Sequence, residues 1–488
     1  MSARLTSIDG LKPGVVLPGY DRDAHGAGIV HIGLGAFHKA HQAVYTDDAL
    51  AARGGDWRII GVSLRSTAPA EDLTAQDDLY TLLERSVDGT VPRVIGALHY
   101  ALSMQTNATA VRAALCAEET KIVTLTVTEK GYGIDRTTGG IDRAHPAIAA
   151  DLAAPEAPQG VAGLLVRALG RRRAKGLAPF TVLCCDNLPE NGKMVRSLLI
   201  DHARHVAPEL VEHIATEVAF PSSMVDRITP AQTPDTLKLA EDLTGFRDAA
   251  AVETEAFRQW VIEDHFPQGR PAWEAGGAIF VSDVSPYEEM KLRMLNGAHS
   301  MLAYSGFLSG HGYVRDVMRD PALAALVGRH MRAAAATLKP LPGADFESYA
   351  EALLSRFENP HLAHETYQIA MDGTEKLPQR ILGPAVAALS AGSDLSAFAF
   401  ATAAWMRYTL GRKDDGTPYA LRDPRETELT DTGTPTATAL ADRLLALPGL
   451  FPAPLRDSTA WREAVTTRLD RMMTLGMRAA VEAEAGAA

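Results

Sequence analysis

The run Gly28-Ile29-Val30-His31-Ile32-Gly33-Leu34-Gly35 constrains this chain more than any other segment. Its apolar, β-branched body reads as a buried strand, and it closes on Gly-x-Gly. Behind it, Phe37, Ala40, Val44 and Ala49 recur at helical spacing over 37–52. A strand that ends in glycines and turns into a helix puts bare backbone and the free N–H groups of a helix start at one point. That is where a pyrophosphate binds. The third glycine of Gly-x-Gly-x-x-Gly is absent and His38 stands in its place, so the motif is partial. Gly33, Gly35, Phe37 and His38 are the candidate cofactor-binding residues.

The surroundings extend the pattern. Strand-like runs recur at Trp57–Leu64, Lys121–Thr128 and Phe180–Cys185. Helical segments at Ala108–Cys116, Gly160–Arg173 and Lys193–Val206 lie between or after them. Strands alternating with helices predict an α/β domain with a mostly parallel sheet. After about residue 285 the strands stop. Helical patterns follow at 287–309, 321–338, 346–357, 382–391, 395–410, 436–447 and 458–484, divided by breaks such as Lys339-Pro340-Leu341-Pro342-Gly343. The expected organisation is a Rossmann-like dinucleotide-binding domain over 1–284 and an all-helical substrate and catalytic domain over 285–488. The Ala/Glu-rich end, 479–488, is expected to fray.

Composition excludes other classes. The chain has 488 residues, 46% of them hydrophobic, enough for a full core. A net charge of -12 speaks against nucleic-acid binding, which needs a basic footprint. The densest basic run, Arg171-Arg172-Arg173, reads as a solvated helix end. Three cysteines do not make a disulfide scaffold, and the adjacent Cys184 and Cys185 are expected to pack as small hydrophobes. The polar, Gly/Pro-punctuated residues 1–28 do not read as a signal peptide. No run approaches the roughly 18 apolar residues of a membrane span. A cytoplasmic protein without nucleic-acid or membrane partners is expected.

The chemistry-bearing residues are spread over both domains. His31, His38 and His41 suggest a metal cluster, but no carboxylate or cysteine pattern completes one, and no metal is expected. Leu64-Arg65-Ser66 ends the second strand without the acid that reads a ribose 2′-hydroxyl. Arg65 accommodates a 2′-phosphate, stacks on adenine or faces solvent, so NAD is expected with NADP not excluded. Asp186-Asn187-Leu188-Pro189-Glu190-Asn191-Gly192 follows the fourth strand at the sheet end where ligands bind, although its composition is equally that of a plain turn. In Phe220–Ile228 an apolar surround suggests that Asp226 and Arg227 are positioned side chains.

The most informative stretch is Glu288–His299. At about 100° per residue, with Lys291 at zero, Glu288 falls near 60°, His299 near 80° and Asn296 near 140°. A lysine, an amide, an imidazole and a carboxylate share one partly apolar face, where a solvated face would carry more charge. Burial and neighbouring positive charge would lower the pKa of such a lysine, making it a general acid or base for an alcohol/ketone pair.

Lys291, Asn296 and His299 match the lysine–x4–asparagine–x2–histidine signature of the polyol-specific long-chain dehydrogenases, the mannitol dehydrogenase family. Ile29–Tyr45, Asp186–Gly192 and Phe220–Pro230 also resemble blocks of that family. The resemblance implies metal-independent hydride transfer between NAD(H) and a secondary alcohol carbon. It assigns Lys291 as general acid/base, Asn187 and Asn296 as donors to the substrate oxygen, His299 as orienting residue and Glu288 as proton relay, and it sets Asp226 near the nicotinamide. The segment His364–Arg380 resembles the fructuronate reductase (D-mannonate oxidoreductase) branch, with Gln368 where mannitol-oxidising members carry arginine. Lys376 and Arg380, at i and i+4, are candidate ligands for a uronate carboxylate, with a surface salt bridge the plain alternative. The expected reaction is D-fructuronate with NADH to D-mannonate, the alternatives being a mannitol/fructose dehydrogenase and a non-catalytic dinucleotide sensor. A monomer is favoured, with a dimer as the alternative.

Overall fold

The computed structural model describes residues 2–135, 138–341, 344–361, 363–430, 433 and 435–487. The chain divides into two compact units, Met1–Ser285 and Pro286–Ala488. Pro342 and Gly343, part of the expected Pro/Gly break, lie outside the described residues.

In the first unit the strands are β1 (Ala27–Ile32), β2 (Arg58–Ser63), β3 (Tyr80–Ser86), β4 (Gly89–Ile95), β5 (Leu98–Ser103), β6 (Ile122–Leu125), β7 (Thr181–Cys184), β8 (Ser223–Asp226), β9 (Val252–Glu255), β10 (Gln259–Glu263) and β11 (Ile279–Val281). The main sheet has the order β5-β2-β1-β6-β7, with every pairing parallel. From β1 the strand order runs one way through β2 and β5 and the other way through β6 and β7, so the crevice outside the carboxyl ends of β1 and β6 is the switch point at which such sheets bind ligands. Alternate residues feed two cores. Val30, Ile32, Val123 and Val182 enter one, and Ile29, Ile59, Ile122 and Leu183 the other. Both faces are covered, which is why these strands read as continuous apolar runs. Cys184 and Cys185 point into opposite cores as buried thiols outside any disulfide.

Two small sheets, β4-β3-β9 and β11-β10-β8, were not expected. Pro92 obscured β4, but β4 is an edge strand, where a missing N–H costs nothing.

The second unit is helical, with no strand among its described residues. Two expectations fail. The chain end does not fray over 477–485: Met477–Ala485 is a helix whose buried Glu484 accepts from Arg468 Nε at 2.8 Å. In the first unit, Arg172 is not solvated. Its buried guanidinium donates to the carbonyls of Ala178 and Ala117 and lies over the Phe180 ring.

Candidate active site

In the first unit the site grows from the end of β1. Gly33 has φ of +110°, and a Cβ there would sit 2.1 Å from the carbonyl oxygen of Thr126, so no other residue fits. Thr126 Oγ1 donates to the Gly33 carbonyl at 2.9 Å. Its hydroxyl proton is thereby used, so His31 Nε2 donates to Thr126 Oγ1 at 2.9 Å, and His31 Nδ1 accepts from Thr124 Oγ1 at 2.8 Å. Burial pushes the His31 pKa down to about 3, which keeps the ring neutral. His38 stacks on it with centroids 3.4 Å apart. The His38 side chain is wholly buried, so its imidazole supports the loop from beneath.

The single helix expected over 37–52 is two, Ala36–Ala40 and Gln42–Arg53, broken at His41. Tyr80 Oη and Arg227 Nη1 donate to the carbonyls of Lys39 and Ala40 at 2.7 and 2.6 Å, capturing acceptors at the junction. His41 Nε2 donates to the Gln259 carbonyl at 2.9 Å, and its Nδ1 accepts from Gln42. The three histidines are thus parts of the packing. Among the described residues no group of three or more His, Cys, Asp or Glu is arranged to hold a metal. Gly35 is exposed at the helix start, and Phe37 is half-buried against His41. Arg65 is exposed beyond β2, about 4.0 Å from where a Cβ on Gly131 would stand.

The loop after β7 is pinned by Asp186 and Asn191, neither of them a candidate site residue. Asp186 accepts from the N–H of Val127 and Thr128 and from Tyr132 Oη at 2.9, 3.1 and 2.7 Å. Burial raises its carboxyl above the usual range, against the pull of those donors. Asn191 donates to the carbonyls of Asp186 and Ser223 and accepts from Ser223 N–H, tying the loop to β8. Asn187 is thereby held, exposed, at the carboxyl end of β7. Asp226 closes β8, buried and within the field of His41. Arg227 is a clamp: besides Ala40 it holds the Glu255 carbonyl and pairs with Glu84.

In the second unit the lysine segment is not a plain α-helix. Ser285–Met290 and Gly297–Leu308 are α-helical, but Lys291–Asn296 between them is a π-helix. A π turn holds an extra residue, so each step advances roughly 80°. The arc through Lys291, Glu288, Asn296 and His299 therefore shrinks from about 140° to roughly 70°. The lysine, amide and imidazole gather more closely than a 3.6-residue period allows.

Lys291, Asn296 and His299 are all buried, and Glu288 is half-buried ahead of them. Asn296 Nδ2 and His299 Nε2 are buried without a hydrogen-bond partner among the described residues. Buried polar groups are normally paired, so these are poised for a ligand. Burial, then His364, Arg356, Arg380 and Lys291, all push the His299 pKa far down. The ring is neutral, and Arg356, Arg380 and Lys291 are cations acting on it. The His299 ring stacks on Phe357 with centroids 4.4 Å apart and meets His364 in a T-shaped contact at 5.2 Å.

A second π-helix, Pro378–Leu382, carries Arg380. Gly297 lets the two π segments meet: a Cβ there would lie 2.8 Å from the Arg380 carbonyl oxygen. Arg380 is half-buried, and its Nη1 donates to Ser300 Oγ at 3.3 Å. Burial pushes its pKa down to about 10, and no carboxylate of the described residues pairs with it. Lys376 turns elsewhere. Its Nζ donates to the Ile369 and Met371 carbonyls at 3.2 and 2.5 Å, with Asp372 at 3.9 Å. Sequence reasoning gave no role to Arg356, Gly297 or Tyr304, whose buried hydroxyl also has no partner among the described residues. Of these, only Gly297 carried a signal, by standing next to Asn296.

The mannitol dehydrogenase Rossmann domain matches residues 27–275, and the mannitol dehydrogenase C-terminal domain matches 283–473. The chain belongs to the mannitol dehydrogenase family. D-mannonate oxidoreductase of Escherichia coli is 41% identical over 98% of this chain and 99% of its own. An uncharacterized E. coli oxidoreductase, YdfI, is 44% identical over 96% and 98%. A Pseudomonas fluorescens mannitol 2-dehydrogenase, solved with NAD and D-mannitol, superposes with a TM-score of 0.86 at 37% identity, covering 100% of both chains. The family is one of oxidoreductases acting on secondary alcohols. No helix among the described residues is long and apolar enough to cross a membrane.

Proposed function

We propose that this chain is an NAD-dependent, metal-independent secondary-alcohol dehydrogenase that reduces D-fructuronate to D-mannonate. The residues fit a dinucleotide: the turn at Gly33 has no room for a side chain, and it lies at the switch point of a parallel sheet. The backbone of Gly33 and Gly35 would hold the pyrophosphate, with Phe37 and Arg65 beside the nucleotide, His38 beneath the loop, and Asp226 toward the nicotinamide. When bound, the nucleotide supplies the hydride donor or acceptor.

Lys291 takes the hydroxyl proton on oxidation and returns it on reduction. Asn296 Nδ2 donates to the substrate oxygen as charge develops there, and Asn187 keeps the donor role that the family resemblance implies. His299, neutral and with a free Nε2, orients the substrate hydroxyl. Glu288, half-exposed, passes the proton to solvent.

The observation that carries the sugar-acid reading is Arg380. A guanidinium that burial has desolvated, with Ser300 as its hydrogen-bond partner and no carboxylate on it, wants an anion. The cations Arg356, Arg380 and Lys291 around His299 support the same reading, and Lys376 adds charge from its carbonyl-tied position. This local field must overcome a net charge of -12. A second reading, D-mannitol/D-fructose, is favoured by the match to the P. fluorescens enzyme and by a Phaeosphaeria nodorum mannitol 2-dehydrogenase that is 39% identical over 96% of this chain and 83% of its own.

The test is NADH and NADPH oxidation by the purified protein with D-fructuronate and D-fructose. Turnover of fructuronate with NADH well above fructose supports the proposal. Robust turnover of fructose and none of fructuronate overturns it.

A further inference from the structure

A groove of about 620 Å³ opens between helices Val161–Ala174 and Asn191–Val206 of the first unit. It lies at the far end of the helix that begins beside Asn187. At 1.5 Å per residue, that separates the groove from the β7 loop by roughly 20 Å. Its volume is that of a small-molecule site and far exceeds a lone ion.

The walls are Val166, Val206 and Leu210, and the rim carries Arg167, Arg171 and Arg173. Glu156 and Glu209 line the groove too, so its charged residues leave a net of one positive charge in a chain of net charge -12. Arg172, between them in sequence, turns inward and is spent on carbonyls. Arg173 is held by the Glu209 carbonyl at 2.7 Å, and Arg167 pairs with Glu156. The Arg171 side chain forms no ion pair or hydrogen bond among the described residues. It stands one helical turn from Arg167, where like charges destabilise a helix. Burial and then the charge of Arg171 push the pKa of Arg167 down. His202 lines the same groove. It is only 1% exposed, and its Nδ1 is buried without a hydrogen-bond partner among the described residues. Arg167 Nε is buried and unpartnered as well. Two unmet buried nitrogens, one guanidinium without a partner and apolar walls together describe a receptor for an anion on a flat apolar body.

We propose that this groove is a second ligand site, separate from the dinucleotide and substrate sites, that takes a small phosphate ester through Arg167, Arg171 and His202. The proposal does not depend on which sugar the enzyme reduces.

The test is isothermal titration of phenyl phosphate, benzoate and phenol into the full-length protein saturated with NAD, so that the Gly33 loop is occupied. Phenyl phosphate should bind at one equivalent, more tightly than benzoate, and phenol should not bind. Arg171→Ala alters an exposed side chain, so the fold survives, and affinity should fall about tenfold, as when one charge-assisted hydrogen bond is lost. His202→Gln should weaken binding too. No heat at millimolar phenyl phosphate, or unchanged affinity in Arg171→Ala, overturns the site. Tighter binding of benzoate overturns the phosphate assignment.

Discussion

The Gly33 turn and the Lys291 helix both place functional groups by departing from regular geometry, and they do so in opposite ways. At Gly33 the backbone enters a conformation that only glycine tolerates, against the Thr126 carbonyl, and the functional groups are the backbone itself. In the second unit the π segment continues the helix on either side, and an extra residue in the turn re-aims three side chains. The first device fails when a side chain is added. The second fails when the packing that holds the turn open is disturbed. Gly297 is where the two devices converge, since its missing side chain lets one π segment rest on the other.

The largest effect should come from the π segment. Lys291→Ala should lower kcat/KM by about 10²–10⁴-fold, the usual worth of a general acid/base. NADH affinity, read by fluorescence titration, should not change. Retained turnover removes the lysine from the chemistry. Next, Gly33→Ala drives a Cβ into a backbone carbonyl. It should weaken NADH binding at least tenfold and cost about 1–3 kcal/mol of stability, while Gly297→Ala should leave NADH binding alone. Gly297→Ala should instead lower kcat/KM about ten- to hundredfold, on an overpacking cost of about 1–3 kcal/mol. If the two glycine variants fail in the same measurement, the contrast between the devices is lost.

A further effect is on stability against pH, and both units share it. His31 and His41 are pushed down to about 3, and His330 and His364 to about 4, in each case first by burial, from an ordinary 6.5. Below 6.5 the unfolded chain binds protons that the folded chain refuses. Stability from these groups is therefore complete above about 6.5 and drains away as pH falls toward 3–4. The unfolding temperature should drop steadily from pH 7.5 to pH 5, and a flat profile contradicts the neutral-histidine assignment.

The contrast also explains what could be read from the sequence. Gly33 is legible because a special backbone angle demands a special residue, and the parallel strands are legible because burial on both faces leaves unbroken apolar runs. The π turn has no residue of its own. Lys291-Leu292-Arg293-Met294-Leu295-Asn296 has the composition of any amphipathic helix, so the arc of functional groups was found but drawn too wide. The helix break at His41 was hidden because its cause, the capture of the Lys39 and Ala40 carbonyls by Tyr80 and Arg227, comes from residues about 40 and 190 positions away. Lys376 and Arg380 looked like a pair by spacing. They part because the loop carbonyls of Ile369 and Met371 claim the lysine, which leaves Arg380 as the cation without a counter-charge.

The central claim, that the helical unit is built to receive an anion, rests on that arginine. Its most direct test is kcat/KM for D-fructuronate and D-fructose in the wild type and in Arg380→Met. Loss of a charged hydrogen-bond pair costs about 1.5–3 kcal/mol. The account predicts a loss of roughly ten- to hundredfold for fructuronate and little change for fructose. An equal loss on both substrates, or none on fructuronate, would contradict it.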